Sequence, residues 1–264
     1  MHLSLGLVTA MTIRKSIALA KAAEDVGYHR IWAGEDIFHR EIFTYLSVLA
    51  LNTKSIGLGT GITSTYVRNL PVLANSSKAL SELSSDRFIL GLGVGGLPEV
   101  EKLTGARPKN VVKTLEETAL LLKEKRGIKI YMGVRGPRML ELAGRVADGV
   151  ILSGPRGYIE KAIEIVDGAS NGRRVEKVLW NAFYLGENPR LVSKITSVMM
   201  ESMPTFARRY MDPAGAEDEL CITGSLEHVK EEITGYEKQG IDELVIGPPY
   251  GENPIEVIKE MEVR

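Results

Sequence analysis

The residues that could do chemistry gather in a few short segments, each following an apolar run. They are GEDIFHRE at Gly34–Glu41, GITSTY at Gly61–Tyr66, GVGGLPEVE at Gly93–Glu101, VRGPRM at Val134–Met139, SGPRG at Ser153–Gly157 and GPPYGENP at Gly247–Pro254. These segments are rich in Gly, Pro, Arg and small hydroxyl residues. They contain no Ser/His/Asp set and no carboxylate cluster. The histidines His2, His29, His39 and His228 lack metal-ligand spacing, so no metal site is expected. A site built this way points to a reaction carried by a bound organic cofactor. Glycines let a planar ring approach the backbone. Arg135, Arg138 and Arg156 suit phosphate or carboxylate. Together they fit a flavin-like ligand with an anionic tail.

The elements that must position these segments alternate from end to end. Strands are predicted over Leu3–Val8, Arg30–Ala33, Ile56–Ile62, Phe88–Gly93, Lys129–Val134, Gly149–Ser153, Lys177–Leu185 and Glu243–Ile246. Helical spacing covers Thr12–Val26, Ile42–Asn52, Val72–Ser84, Val111–Lys125, Pro137–Val146, Tyr158–Asp167, Ser225–Gln239 and Pro254–Glu262. Thr12 and Ser225 are the caps expected at two of the helix starts. The stretch 189–220 reads as helix broken at Pro204 and Pro213. Strict β/α alternation over this length predicts one α/β domain, a (β/α)8 TIM barrel over residues 1–264. A doubly wound sheet is disfavoured, because no G-x-G-x-x-G opens a helix after the first strand. In a barrel, the loops after the strands form the site.

Composition excludes several function classes. The chain has 264 residues, 25% of them charged, and a formal net charge of −1. No basic stripe suggests nucleic acid or an anionic membrane. Cys221 is alone, so there is no intrachain disulfide. No apolar run approaches a membrane span. The N-terminus lacks a basic region before its apolar run, so a signal peptide is not expected and the cytoplasm is the default location.

Four segments carry a resemblance to a known family. They are AEDVGYHRIWAGED at Ala23–Asp36, residues 53–74 continuing into LSELSSDRFILGLGVGG at 80–96, IYMGVRGPRMLELAGRVADGVILS at 130–153, and the stretch 222–251. In this order they resemble the luciferase-like flavin and deazaflavin oxidoreductases. The likeness is greatest to the branch that uses coenzyme F420, which includes methylenetetrahydromethanopterin reductase. The resemblance implies hydride transfer between F420 and a small organic substrate such as a pterin. It leaves two alternatives: an FMN-dependent monooxygenase, and a protein that binds a flavin or deazaflavin without turnover. It further implies a non-proline cis peptide at Gly61–Ile62, with Thr63 beside it, supporting the central ring. Gly93, Gly95 and Gly96 are implied as a second cofactor wall. The run Gly133, Val134, Arg135, Gly136, Pro137 and Arg138 is implied as a backbone loop on the cofactor's side chain, with Ser153 and Gly154 beyond it. Glu35 and Asp36 align with the Asp-His pair common after the second strand and are the candidate catalytic residues. A homodimer is expected from the resemblance alone.

The chain departs from that pattern in places. Val8 and Gly96 stand where reductases often carry acids, and Asp36 where a histidine is usual. The inserted segment often found before the fifth strand is missing. Glu35, Asp36, Glu99 and the Tyr250 phenol remain as sources of a proton. Structural readings compete for other residues. Arg68 suits a tie between a loop and the third helix, His39 an idle exposed histidine, and Trp32 and Trp180 the wall or core. Gly61→Val is expected to abolish cofactor binding with the fold largely intact.

Overall fold

A computed structural model describes residues 1–212 and 219–262. Ten strands form one sheet: β1 (His2–Val8), β2 (Arg30–Gly34), β3 (Gly57–Thr60), β4 (Thr63–Ser64), β5 (Phe88–Gly93), β6 (Ile130–Gly133), β7 (Gly149–Leu152), β8 (Glu176–Leu185), β9 (Cys221–Gly224) and β10 (Glu243–Tyr250). The order β10-β1-β2-β3-β5-β6-β7-β8 closes on itself, since β10 also pairs in parallel with β8 from Glu243↔Val178 onward. The eight predicted strands are therefore the staves of a closed parallel barrel. β4 continues the line of β3 after a break and pairs with β5, and β9 pairs with the upper half of β8.

The helices are α1 (Ile13–Asp25), α2 (Ile42–Asn52), α3 (Leu70–Leu83), α4 (Leu97–Thr104), α5 (Val111–Arg126), α6 (Pro137–Val146), α7 (Arg156–Ala169), α8 (Pro189–Ser202), α9 (Thr205–Arg208), α10 (Leu226–Lys238) and α11 (Pro254–Glu260). The expected caps form: Thr12 accepts from the Lys15 amide and Ser225 from the His228 amide. Helix 189–220 breaks at Pro204 as predicted, and Pro213 lies outside the described residues. Four elements differ from the sequence reading, one of them β9, which lies where no strand is predicted. α4 starts at Leu97, inside a predicted loop, with Gly96 as its cap and Pro98 in its first turn. The third strand is interrupted at the cis peptide Gly61–Ile62. β10 runs on past Ile246, where the predicted strand ends, to Tyr250, and includes a second cis bond, Pro248–Pro249. No helix among the described residues is long and apolar enough to cross a membrane.

Two apolar compartments follow from strand periodicity. Outward residues such as Leu5, Leu58, Leu90, Leu152 and Leu244 pack under the helices. Trp32, Ile89, Tyr131, Ile151, Val178 and Val245 fill the barrel interior. Below them lies a polar layer. Buried Glu243 accepts from Ser4 Oγ (2.5 Å) and Trp32 Nε1 (2.6 Å) and pairs with Arg30. Glu176 accepts from the Tyr131 hydroxyl and lies 3.8 Å from Arg30. This closes the end of the barrel away from the loops singled out above.

Candidate active site

At the other end, the barrel mouth has glycine on successive staves: Gly6, Gly34, Gly61, Gly93, Gly133 and Gly247. The missing side chains make room for two others. A methyl group at Gly61 would lie 2.5 Å from Trp180 Cζ3, one at Gly6 2.7 Å from Cζ2, and one at Gly247 2.7 Å from Nε1. The indole of Trp180 thus lies against three glycines. Ile62 does the same on the other side, where methyls at Gly93 and Gly133 would lie 2.9 Å and 2.5 Å from its branches. Both side chains are half-buried. They make a flat apolar floor at the mouth, joined through the cis bond preceding Ile62.

This changes the reading of Gly61. Its open side is taken up by Trp180, so Gly61→Val would displace a rigid indole and disturb the interior as well as any ligand. Gly93 and Gly133 likewise serve Ile62. Gly95 has φ 81°, a left-handed turn that favours glycine. Gly154 is buried, and a methyl there would lie 2.8 Å from the Tyr158 ring. Tyr158 in turn donates to the Arg135 carbonyl at 3.1 Å. Trp180 is the site residue that sequence reading left in the wall. The signal was the glycine on neighbouring staves at matched height, which only the register reveals.

Glu35 does not stand in the mouth as a free acid. Its side chain is 4% exposed and meets Arg68 Nη2 at 2.5 Å. It also accepts from Thr63 Oγ1 at 2.7 Å and the Ser64 amide at 3.4 Å. Arg68 also donates to Thr63 Oγ1 (3.0 Å) and pairs with Glu41 (2.6 Å). Burial raises the pKa of Glu41, but the Thr44 and Phe43 amides and Arg68 outweigh it and hold it below the usual range. Glu35 is therefore a positioning residue, locking the segment after Ile62 to β2. Tyr250 is also removed as an acid. It is fully buried, donates to the Gly6 carbonyl, and burial drives its phenol well above the ordinary value.

Asp36 lies at the rim. Its Oδ2 is 2.8 Å from His39 Nδ1, and the two side chains are 42% and 48% exposed. Its amide donates to the buried Thr9 Oγ1 at 2.8 Å. Glu99 folds its carboxylate back over Gly96 in the first turn of α4.

The predicted loop 133–138 divides by side. The Val134 side chain packs in the outer core rather than facing the mouth. Arg135 is half-buried, donates to the Ser202 carbonyl at 3.3 Å, and has no carboxylate partner among the described residues. Burial lowers its pKa, with Tyr158 acting the other way. Gly136 caps α6 with open space above it, followed by Pro137 and exposed Arg138. Arg135 and the open helix start make a cationic corner suited to an anion. Ser153 is half-buried beyond it. Arg156 does not join this corner: it pairs with Glu232 at 2.6 Å and lies over the Tyr236 ring.

The chain is similar to several known proteins. A family model described as luciferase-like monooxygenase matches residues 1–127. The chain is 26% identical over 318 residues to a 5,10-methylenetetrahydromethanopterin reductase of Methanolobus tindarius, covering 98% of each. Among solved structures, the coenzyme F420-dependent tetrahydromethanopterin reductase of Methanopyrus kandleri superposes with TM-score 0.83 at 20% identity, over 99% of this chain and 98% of that one. An F420-dependent secondary alcohol dehydrogenase holding an F420-acetone adduct also gives 0.83, at 15% identity, over 99% and 98%.

Proposed function

We propose that this chain, which belongs to the luciferase-like proteins, is an oxidoreductase that transfers hydride between coenzyme F420 and a small organic substrate. The carrying observation is the flat floor of Trp180 and Ile62 beside the cationic corner of Arg135 and the α6 start. A planar ring fits the first and an anionic tail the second. The choice of a deazaflavin is supported by the likeness to the coenzyme F420-dependent Methanopyrus reductase and secondary alcohol dehydrogenase, and the end-to-end likeness to the Methanolobus reductase favours a methylenetetrahydropterin-type substrate. A bound deazaflavin supplies the hydride chemistry. The chain's residues hold the ring against Ile62 and Trp180, anchor the tail at Arg135, and bring the substrate against the exposed ring face. Glu35 and Arg68 fix the segment Ile62–Ser64 that the ring rests on.

The second reading is an FMN-dependent monooxygenase, favoured by the description of the matching family model. Fluorescence titration of the purified protein with F420 and with FMN separates the two. We expect micromolar or tighter binding of F420, weaker binding of FMN, and oxidation of reduced F420 on adding methylenetetrahydromethanopterin. Tight FMN binding with oxygen consumption would overturn the F420 assignment. Binding of F420 with no hydride exchange across a panel of pterins and alcohols would favour a non-catalytic binder.

A homodimer is part of the same reading. Neighbouring helices α2 and α3 leave Leu51 70%, Val72 48% and Leu83 42% exposed. Analytical ultracentrifugation should show a dimer at micromolar concentration, and a monomer there would refute it.

A further inference from the structure

We propose that Trp180, Trp32 and Tyr131 form an electron relay through the barrel interior. It carries an oxidising equivalent from the mouth to the closed end, with Glu176 taking the proton of the last member. The equivalent enters as a one-electron radical oxidant at the mouth. This goes beyond the function above and does not depend on which ligand binds there.

The three rings stand on β8, β2 and β6 and belong to one apolar cluster. Trp180 and Trp32 are the two tryptophans of the chain. Trp180 is half-buried at the mouth, whereas Trp32 and Tyr131 are fully buried. The two indoles meet at one glycine: a methyl on Gly61 would lie 2.5 Å from Trp180 Cζ3 and 3.3 Å from Trp32 Cβ. Deeper in the barrel, glycine again makes room for each ring. A methyl on Gly59 would lie 2.5 Å from Trp32 Cε3, and one on Gly149 2.4 Å from Tyr131 Cε2. The Trp32 and Tyr131 rings are centred 5.5 Å apart, with their planes inclined at 41°.

Packing alone does not account for the polar hydrogens in this column. An interior filled only for volume needs neither an indole N–H nor a phenol, because each must find a partner when buried. Here both partners are carboxylates. Trp32 Nε1 donates to Glu243 Oε1 at 2.6 Å, and the Tyr131 hydroxyl donates to Glu176. A phenol that loses an electron also loses its proton, so its oxidation needs a base already in contact with it. Burial raises the pKa of Glu176, but the Tyr131 hydroxyl, Lys129 at 3.7 Å and Arg30 at 3.8 Å outweigh it and hold it below the usual range. Burial holds the Tyr131 phenol well above its ordinary value, so it keeps its proton until the electron leaves. The Glu176 side chain is 29% exposed, which opens the closed end to solvent for that proton.

The radical takes one electron from Trp180 and becomes its anion, and the indole proton passes to water at the mouth. Trp32 refills Trp180, which regains a proton from water, while the Trp32 N–H stays on Glu243. Tyr131 then refills Trp32, and its proton passes to Glu176. One electron has reached the oxidant, and one phenoxyl radical remains on Tyr131, away from the mouth. A soluble thiolate at the closed end returns the electron, becoming a thiyl radical, and Glu176 returns the proton.

The test uses the full chain without cofactor and the azide radical as oxidant. A pulse of azide radicals should oxidise Trp180, since Trp32 is sealed from solvent. The indolyl absorption should then decay as phenoxyl absorption rises, at a rate independent of protein concentration. Tyr131→Phe should lose that rise, and Trp32→Phe should leave the radical stranded on Trp180. Glu176→Gln keeps an acceptor for the phenol but no base, and should slow the rise by about 10²-fold or more. Tyr184→Phe and Tyr250→Phe, at the upper ends of β8 and β10, should keep the wild-type kinetics. A rise that survives in Tyr131→Phe, scales with protein concentration, or vanishes in Tyr184→Phe or Tyr250→Phe would overturn the relay. So would equal rates in Glu176→Gln and the wild type. If Trp32→Phe or Tyr131→Phe fails to fold by circular dichroism, Glu176→Gln decides the matter. Failure of F420 to bind would overturn the function proposed above and leave the relay standing.

Discussion

Trp180 shows how much a single side chain decides at this mouth. Three glycines, on β10, on β1 and just past β3, yield their Cβ positions to one half-buried indole. If that indole carries the cofactor, Trp180→Leu should weaken F420 binding by roughly 10-fold or more, since aromatic stacking and apolar area are both lost. The half-exposed position limits the stability cost to about 1–3 kcal/mol, below the range for a fully buried aromatic. Fluorescence titration together with urea unfolding checks both numbers. An unchanged dissociation constant would move the ring elsewhere. Tyr250 gives the opposite expectation. Its hydroxyl is sealed against the Gly6 carbonyl, so Tyr250→Phe should cost about 1 kcal/mol of stability and leave hydride transfer within twofold of wild type. A hundredfold loss of rate would restore it as the acid.

Between residue and fold, the connections at the closed end carry stability. Glu24, near the end of α1, receives the amides of Lys54, Ser55 and Ile56 on one oxygen at 2.8, 2.7 and 3.0 Å. It thereby pins the turn that leads into β3. Burial raises its pKa, but the three amides and the Ser55 hydroxyl outweigh that and hold it below the ordinary value of 4.5. A depressed carboxylate stabilises the fold above its unfolded pKa, and that contribution is lost as pH falls through the folded one. Glu24→Gln should therefore lower stability by about 1 kcal/mol at pH 7, discounted for partial exposure, with the difference from wild type shrinking below pH 4. Urea midpoints at the two pH values test this. Elements of this kind were legible where periodicity and caps agreed, as at α2, whose bounds match the prediction, and at Thr12 and Ser225. They were hidden where a local signal pointed the other way. Gly95-Gly96 and Pro98 read as loop, yet Gly96 is a cap and a proline in the first turn suits a helix start. The segment from Gly247 read as loop, yet β10 continues to Tyr250. Of the site, the backbone loops were legible. The side chains that fill them were not, because Trp180 against Gly61 and His39 against Asp36 depend on register and turn geometry.

At the scale of the whole barrel, the two ends divide the work. The mouth has glycine, two half-buried apolar side chains and partly exposed ionisable groups. The far end has Glu243 buried on Ser4, Trp32 and Arg30, with Glu176 and Tyr131 beside them. The layer of Ile89, Ile151, Val178 and Val245 separates the two. A perturbation below that layer should therefore act on folding without reaching the cofactor. Arg30→Leu removes the cation from a pair in which Glu243 is only 2% exposed, leaving a buried carboxylate uncompensated. Loss of one partner of such a pair costs about 3–5 kcal/mol. For a chain of this size that corresponds to a fall in Tm of roughly 6–20 °C. Well below that Tm, the dissociation constant for F420 and the rate of hydride transfer should both stay within twofold of wild type. A second change, Glu243→Leu in the Arg30→Leu background, should recover much of the lost Tm by removing the stranded charge, though the Trp32 indole and Ser4 hydroxyl lose their acceptor. Calorimetry on the single and double variants, run beside F420 titrations, measures both sides. A tenfold change in cofactor affinity in Arg30→Leu would mean that the interior layer transmits strain from one end to the other, and the division between a stabilising end and a working end would not hold.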